Sequence, residues 1–312
     1  MAQLISIVIP VFNETEVLRT SHAQLAAVLS TLPYDFEVLY IDDGSKDGSG
    51  KLIEEISRSD QRVRGLYLSR NFGHQAALSA GLEAALGDLV ISMDCDGQHP
   101  PAVLPEMIAL YEQGYDIIQT QRIENEHISP FKKATSNLFY NLINKISGTS
   151  INPGAADFRA LSREALEGLK SMPEYHRFLR GMIAWMGFKS IILPYQEAER
   201  MLGKSKYSLG KMVRLASDAI FSFSLVPLYI GLSAGGLFIV LAMGQIGYVL
   251  FLWAAGLHDR IEPGWSSLMA VLLIASGIIM ILLGFIGVYI GYIFQQVKGR
   301  PVYLTMKKPF DQ

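Results

Sequence analysis

Cysteine is nearly absent from this chain of 312 residues, since Cys95 is the only one. A disulfide within the chain is therefore excluded, which is typical of a domain in a reducing compartment such as the cytosol. The chain also lacks an excess of charge of either sign, because 27 lysines and arginines are balanced by 29 aspartates and glutamates. This balance gives no electrostatic signature of nucleic-acid binding, and we expect no nucleic-acid partner.

Two common nucleotide-binding motifs are missing as well. After the first apolar strand a dinucleotide-binding fold would need GxGxxG, and the residues here are "VFNETE". The segment "GSKDGSGKL" approaches a P-loop, but its spacing is wrong and Leu52 stands where a hydroxyl is needed. The segment "MAQLISIVIPVFNE" has no basic region and its apolar run ends at a proline, so we predict a strand there and not a signal peptide.

Charged residues are absent from two long apolar stretches, 219–257 and 263–297. Each stretch is longer than the ~20 residues that span a bilayer. We predict two transmembrane helices, at 225–254 and 266–294, which a short loop joins into an antiparallel hairpin. Two buried core helices are the alternative, and such lengths disfavour it.

Basic residues flank this predicted hairpin, whereas its loop contains a single arginine. The positive-inside rule therefore predicts that both termini and the first two hundred residues are cytoplasmic. The flanking basic residues are Lys204, Lys206, Lys211 and Arg214 before the hairpin, and Lys298, Arg300, Lys307 and Lys308 after it.

The first hundred residues alternate between apolar strands and helical segments. Strands are predicted in "LISIVIPV", "FEVLYIDDGS", "VRGLYLS" and "DLVISMDCD", and helices near 14–32, 49–59 and 74–86, with Asn13 as the N-cap of the first helix. This order predicts an α/β fold with a mostly parallel sheet and helices on both faces. Ligands bind such sheets at the carboxyl ends of the strands. Polar residues stand at those ends in four places: Asn13–Glu14, Asp42–Asp43, Arg70–Asn71 and Asp94–Asp96.

The stretch "MDCDGQHPP" carries the most specific chemistry of these four strand ends. In an extended segment residues i and i+2 share a face, so Asp94 and Asp96 are expected to face one ligand while Cys95 turns away. Two carboxylates suit a hard cation, Mg²⁺ or Mn²⁺, whose other ligands come from phosphate. A solvated turn is the alternative, and the second acidic strand end nearby favours the metal site.

The combination of motifs resembles the polyisoprenyl-phosphate glycosyltransferases, a group with a GT-A-type fold that includes bactoprenol glucosyltransferases and dolichyl-phosphate mannose synthases. The resemblance covers nearly the whole chain. Two segments depart from it, because Cys95 and Gly97 replace Ala and Leu of the usual DADLQ, and "ADFRA" replaces GDFRL. The matching segments are "VIPVFNE" (8–14), "DDGSKDGS" (42–49), "SRNFGHQAALSAG" (69–81), "DCDGQHPP" (94–101), "DFR" (157–159), "RFLRGMIAWMGF" (177–188), "ERMLGKSKYS" (199–208) and "FSFSLVPL" (221–228).

The resemblance implies a role for each matching residue. Asp94 and Asp96 would hold the metal on the diphosphate, with the backbone of Cys95 beside the ribose and Gln98 at the sugar or the metal shell. Asp157 stands at the proposed base position and forms the expected catalytic set with Asp96 and Arg122. The nucleotide pocket would consist of Pro10, Phe12, Glu14, Ile41 and Asp43, with Asp43 reaching the base. Phosphate and acceptor binding would fall to Arg122, Arg200, Ser205 and Lys206.

The implied reaction moves a monosaccharide, with inversion, from a nucleotide sugar to a polyprenyl phosphate, such as undecaprenyl or dolichyl phosphate. UDP-glucose is the first choice of donor, and UDP-galactose, UDP-GlcNAc and GDP-mannose stay open. The second pKa of the acceptor phosphate is about 6, so it is mostly ionised at pH 7 and needs little help from a base. We therefore expect Asp157 to orient a substrate more than to remove a proton.

The predicted organisation is a catalytic domain (1–206), an amphipathic juxtamembrane helix (207–221), the hairpin (222–296) and a cytosolic tail (297–312). A second amphipathic segment, 129–146, predicts either another interfacial helix or a core helix. Both would hold the site close to a bilayer, which the resemblance places in the bacterial inner membrane. The sequence leaves open whether the chain forms a homo-oligomer.

Two other classes of protein are alternatives to this implied function. A processive polysaccharide synthase would need a QxxRW segment, which this sequence does not contain. The other class is a membrane protein that binds nucleotide sugars without turnover, or a lipid-carrier transporter. Such a protein would not need both Asp94 and Asp96. His74 is expected to have a structural or substrate-contact role, and contact between His99 and phosphate is left open.

Overall fold

The computed structural model describes residues 4–123, 155–196, 226–256 and 264–307. The chain divides into two compact units, of which the first contains residues 1–214 with 300–312 and the second contains residues 215–299. The predicted domain boundary at 206, both amphipathic segments and the hairpin loop lie outside the described residues.

The first unit is built on an eight-stranded sheet whose order is β7-β5-β6-β4-β1-β2-β3-β8. The strands are β1 (Leu4–Val11), β2 (Asp35–Asp42), β3 (Val63–Leu68), β4 (Leu89–Ser92), β5 (Ile117–Arg122), β6 (Ala155–Ser162), β7 (Ser190–Tyr195) and β8 (Thr305–Met306). The helices are α1 (Thr15–Leu29), α2 (Ser49–Ser59), α3 (His74–Ala84), α4 (Leu104–Glu112), α5 (Arg163–Lys170) and α6 (Leu179–Trp185).

Strand β1 lies at the centre of the sheet, parallel to β2 on one side and to β4 on the other. Its isoleucines and valines are buried on both faces, as expected for a continuous β-branched run. Strand β6 is antiparallel to β4 and β5, so the sheet is mixed but mostly parallel. The predicted α/β class is confirmed, and the parallel strands bring their polar carboxyl ends to one edge.

The predicted N-cap of α1 is wrong by one residue. Glu14 occupies the N-cap position without a side-chain hydrogen bond to the helix, whereas Asn13 has a left-handed backbone with φ of 53°. The side-chain oxygen of Asn13 accepts a hydrogen bond from the N–H of Lys46 at 2.9 Å. Asparagine tolerates this conformation, and its amide here joins two loops instead of capping a helix.

The second unit contains two long apolar helices, α7 (Val226–Ala254) and α8 (Trp265–Val297). They pack together where Gly231 lies against the side chain of Leu282, leaving no room for a Cβ. Among the described residues, one segment is long and apolar enough to cross a membrane, Ile274–Val297 in α8. The second span and the orientation of both helices stay predictions.

The residues after α8 return to the first unit. Strand β8 pairs antiparallel with β3, and the N–H of Ser69 donates to the carbonyl oxygen of Leu304 at 2.8 Å. The hydroxyl of Tyr303 donates to Glu83 on α3. The segment predicted as a cytosolic tail therefore supplies the last strand of the sheet.

Candidate active site

The loops after β1 and β2 are tied together at the carboxyl edge of the sheet. The N–H of Asn13 donates to the hydroxyl of Ser45 at 2.9 Å, and the N–H of Glu14 donates to the hydroxyl of Ser49 at 3.0 Å. Asp42 accepts from the N–H of Ser45 at 3.0 Å. The predicted convergence of polar strand ends is therefore present for these two strands.

Asp43 extends this network to the loop after β3. Its two carboxylate oxygens accept hydrogen bonds from the N–H groups of Phe72 and Gly73, at 2.7 and 2.9 Å. A Cβ on Gly44 would lie 2.5 Å from the backbone of Arg70, so only glycine allows this approach. Burial raises the pKa of Asp43 although both N–H groups oppose the rise. The side chain thus organises two loops, and its contact with a base stays a prediction.

Other residues of the predicted nucleotide pocket have different degrees of exposure. Pro10 is half-buried near the end of β1, and Phe12, just beyond that strand, is exposed. Ile41 is fully buried on β2, where its side chain fills the space beside Gly81 of α3. The side chain of Ile41 therefore lies in the core beneath the site, and the part of Ile41 in the nucleotide pocket stays a prediction.

The acidic motif lies in a turn, and the prediction of a strand through Asp96 is wrong. Strand β4 ends at Ser92, and Gly97 has φ of 83°. The N–H of Gln98 donates to the carboxylate of Asp96 at 3.1 Å, which is the local bond that makes aspartate favour turns. Asp94, Asp96 and Gln98 are half-buried while the Cys95 side chain is buried. The two acids are thus more accessible than the cysteine. The reason is that the chain turns here, and not that side chains alternate along a strand.

The buried side chain of His99 holds this turn in place. Its Nδ1 accepts a hydrogen bond from the backbone N–H of Asp94 at 2.8 Å, and its ring stacks on Phe158 with centroids 5.0 Å apart. Because a backbone N–H can only donate, the ring proton lies on Nε2. Burial, together with the charge of Arg122, lowers the pKa of His99 although Asp94 opposes the shift, so the ring is neutral. A phosphate contact through Nδ1 is excluded in this arrangement.

Asp157 on β6 is surrounded by cationic side chains. Arg159 donates to its Oδ1 at 2.6 Å, and Arg180 of α6 donates to both oxygens at 3.0 Å. His74, the first residue of α3, places Nε2 3.4 Å from Asp157 Oδ2 and 3.8 Å from Asp94 Oδ1. One imidazole therefore lies between the acidic turn and Asp157.

These contacts determine the protonation of both partners. Burial opposes the charge on Asp157, but Arg180, His74 and Arg159 together hold its pKa well below the usual range. Burial also opposes the charge on His74, yet its hydrogen bond to Asp157 and the charges of Asp94 and Asp157 raise its pKa to about 9. At neutral pH Asp157 is therefore ionised and is a weak base, and its orienting role stays a prediction.

Arg159 and Arg180 are not among the site residues predicted from the sequence. Both lie within the matching segments "DFR" and "RFLRGMIAWMGF", but those segments are well separated along the chain. The predicted Arg122 lies at the end of β5, paired in register with Tyr195 of β7. The remaining predicted phosphate-binding residues, Arg200, Ser205 and Lys206, lie outside the described residues.

The donor groups of the acidic turn suit a hard divalent cation. Asp94 and Asp96 offer carboxylate oxygens, whereas Nδ1 of His99 already accepts a backbone hydrogen bond. Among the described residues no group of three or more His, Cys, Asp or Glu side chains is placed to hold a metal. Mg²⁺ and Mn²⁺ accept such a partial set, because water and substrate phosphates complete their coordination.

A mostly parallel sheet with an acidic turn after β4, and a buried carboxylate among cations beside it, is the arrangement expected of a glycosyltransferase of the GT-A type. The comparisons with known proteins agree. The model of the family described as "Glycosyl transferase family 2" matches residues 6–169, more than half of the chain, and the chain belongs to this family.

Named relatives match nearly the full length. The SfII prophage-derived bactoprenol glucosyl transferase of Shigella flexneri is 37% identical over 308 residues, covering 97% of this chain and 97% of that protein. An uncharacterized glycosyltransferase of Bacillus subtilis is 36% identical over 302 residues, covering 97% of this chain and 93% of that protein. A solved mannosyltransferase from Pyrobaculum calidifontis, in complex with GDP-Man and Mn²⁺, is 17% identical, with a TM-score of 0.46 and coverage of 88% of this chain and 86% of that one.

Proposed function

We propose that this enzyme transfers glucose from UDP-glucose to a polyprenyl phosphate at the cytoplasmic face of a membrane, with inversion at the anomeric carbon. The observation that carries the proposal is the position of His74, 3.8 Å from Asp94 and 3.4 Å from Asp157. A donor whose diphosphate binds at Asp94 would therefore lie close to the groups that surround Asp157. Relatives named bactoprenol glucosyl transferase support the choice of sugar and lipid.

Charge on the leaving diphosphate is the main electrostatic problem of this reaction. Asp94 and Asp96 would hold a divalent cation, which supplies charge neutralisation to the diphosphate when bound. The buried ring of His99 fixes the backbone of this turn, so the two acids need little reorganisation. Arg122, near the same ring, adds a fixed positive charge on that side of the site.

The acceptor needs orientation more than deprotonation. Its phosphate is ionised at neutral pH, so an unprotonated oxygen can attack the anomeric carbon. The bond from that carbon to the diphosphate oxygen breaks, and its electron pair leaves with the nucleotide diphosphate. No proton has to move to Asp157, whose pKa is held low by Arg180, His74 and Arg159 against the effect of burial.

Access to a lipid acceptor is supported by the second unit. The segment Ile274–Val297 is long and apolar enough to span a bilayer, and α7 packs against the same helix. We propose that both helices span the membrane and that the first unit is cytoplasmic, in accordance with the basic residues that flank them.

The test is transfer by the purified full-length chain in detergent or nanodiscs. The assay combines polyprenyl phosphate and Mg²⁺ or Mn²⁺ with radiolabelled UDP-glucose, and then with UDP-galactose, UDP-GlcNAc and GDP-mannose. We expect label in the organic phase, most of it from UDP-glucose, and none after chelation with EDTA. Label in a polymer, or no transfer from any donor, would contradict the proposal, and preference for another sugar would correct the donor.

A further inference from the structure

The helix that carries Arg180 begins without a capping side chain of its own. The first backbone N–H groups of a helix have no partner within that helix, so they need an acceptor from elsewhere. The N-cap residue of α6 is Phe178, whose side chain has no atom that accepts a hydrogen bond. The N–H of Leu179, the first residue of α6, therefore depends on an acceptor from another element.

Gln75 of α3 supplies that acceptor. Its side-chain Oε1 accepts a hydrogen bond from the N–H of Leu179 at 3.2 Å. Because a backbone N–H can only donate, this bond fixes the orientation of the Gln75 amide, with its oxygen toward α6. The two residues are 104 positions apart in the sequence, so the start of one helix caps the start of a distant one.

This hydrogen bond lies next to the contacts of Asp157. In the chain Gln75 follows His74, and Leu179 precedes Arg180. His74 Nε2 lies 3.4 Å from Asp157 Oδ2, and Arg180 donates to both carboxylate oxygens at 3.0 Å. These contacts form a closed ring through α3, α6 and β6. The ring fixes the start of α6 relative to α3, and with it the backbone from which Arg180 reaches Asp157.

A second contact joins the same two parts of the chain farther from Asp157. Arg177, which precedes α6, donates to the carboxylate of Glu83 near the end of α3 at 2.6 Å. The apolar side of α6 is buried as well, through Leu179, Met182 and Ile183. These contacts keep α6 packed when the bond from Gln75 is removed. That bond is therefore expected to set the position of Arg180 and not the fold of the helix.

We propose that Gln75 is a positioning residue, which holds the start of α6, and thereby Arg180, against Asp157. That this position matters for sugar transfer rests on the proposed function, in which Asp157 lies beside the reacting groups. Gln75 acts as a hydrogen-bond acceptor, so the NH₂ group of its amide is not required. A misplacement of about 1 Å in an active site can slow an enzyme about 100-fold, which is why one remote hydrogen bond affects the rate.

The first test compares two substitutions of Gln75 in the full-length enzyme. Gln75→Leu removes the acceptor and should lower kcat/KM for sugar transfer about 10-fold. Gln75→Glu keeps an oxygen acceptor and loses the NH₂ group, and a carboxylate in the first turn of α3 is favourable. Its kcat/KM should stay within about 2-fold of the wild type. Equal losses in the two variants, or no loss in Gln75→Leu, would overturn the proposal.

A double-mutant cycle tests whether Gln75 acts through Arg180. Adding Gln75→Leu to Arg180→Gln should lower kcat/KM by less than about a further 2-fold, because the group that Gln75 positions is already gone. Ser79→Ala is the matched control, since the Ser79 hydroxyl donates to the backbone carbonyl of Gln75 at 2.8 Å and leaves its side chain untouched. It should change kcat/KM less than about 2-fold. A full loss from Gln75→Leu without Arg180, or an equal loss in Ser79→Ala, would mean that α3 contributes only general structure, and the proposal would fail.

Hydrogen exchange separates this inference from the proposed function, because it does not depend on activity. Mass spectrometry should show faster exchange of the backbone N–H groups at the start of α6 in Gln75→Leu, and wild-type exchange there in Gln75→Glu and Ser79→Ala. If the enzyme transfers no sugar yet shows this pattern, the proposed reaction is wrong and the positioning of α6 by Gln75 stands. Unchanged exchange in Gln75→Leu would refute the inference even in an active enzyme.

Discussion

Two groups of carboxylates in the same site have opposite surroundings. Asp94 and Asp96 lie in a partly exposed turn, and the contacts to the Asp94 carboxylate are two histidines at 3.6 and 3.8 Å. Asp157 is buried and its oxygens accept three hydrogen bonds from two arginines. The difference indicates a division of roles. Carboxylates with accessible oxygens can bind a cation from solution. A carboxylate whose oxygens already accept hydrogen bonds from the protein can only hold those cationic side chains in position.

Removing the accessible pair should have the largest effect. Asp94→Ala combined with Asp96→Ala should lower kcat/KM by about 10³-fold or more, because the leaving diphosphate loses its charge stabilisation. The transfer assay with both metals measures this, and thermal denaturation checks that the fold is retained. Turnover within tenfold of the wild type would remove the basis for a metal site at this turn.

Neutralising Asp157 should mainly lower the stability of the fold. Asp157→Asn leaves two buried guanidinium groups without their counter-charge, and breaking such a pair typically costs about 3–5 kcal/mol. Sugar transfer should remain measurable and nearly independent of pH around neutrality, because no proton transfer to Asp157 is required. Complete loss of transfer, with donor binding and stability intact, would instead identify Asp157 as a base.

The same carboxylate should make stability sensitive to acid. Its pKa is lower in the folded protein than in the unfolded chain, because Arg180, His74 and Arg159 outweigh burial. Its contribution is therefore fully present above the unfolded pKa of about 4 and is lost as pH falls toward the folded value. Denaturation curves between pH 6 and 3 should show a smaller loss in Asp157→Asn than in the wild type, and parallel curves would contradict this.

His99 offers a finer test of the accessible pair. In His99→Asn the amide oxygen can replace Nδ1 as the acceptor for the N–H of Asp94, whereas His99→Ala leaves that N–H unpaired. The alanine variant should raise the KM for the metal about 10-fold, and the asparagine variant should raise it less. Equal effects would show that ring packing on Phe158, and not the hydrogen bond, supports the turn.

The smallest effect is expected away from both groups. Tyr303→Phe removes the hydrogen bond to Glu83 and should lower stability by about 1 kcal/mol, seen as a small fall in Tm. Glu83 keeps its pairing with Arg177, and the kinetic constants should not change. A large kinetic effect would mean that α3 transmits this contact to His74 at its other end.

The first four strands of the sheet were predictable because local patterns determine them, whereas β5 to β8 were not predicted. The β-branched run in β1 and the alternation with helices predict strands that the structure contains, and polar residues after apolar runs indicate the site edge. The end of β4 was not predictable from periodicity, because the hydrogen bond between Gln98 and Asp96 competes with strand extension. The arginines at Asp157 were missed because residues 157 and 180 meet only through tertiary packing of α6 on the sheet.

Strand β8 has a practical consequence for anyone who shortens this chain. Its residues follow the second apolar helix in sequence but complete the sheet beside β3. A soluble fragment that stops before the helices would expose the outer edge of β3, and open strand edges promote aggregation. Such a fragment should behave better when residues 300–307 are joined back through a flexible linker, so that the edge is covered without the apolar helices.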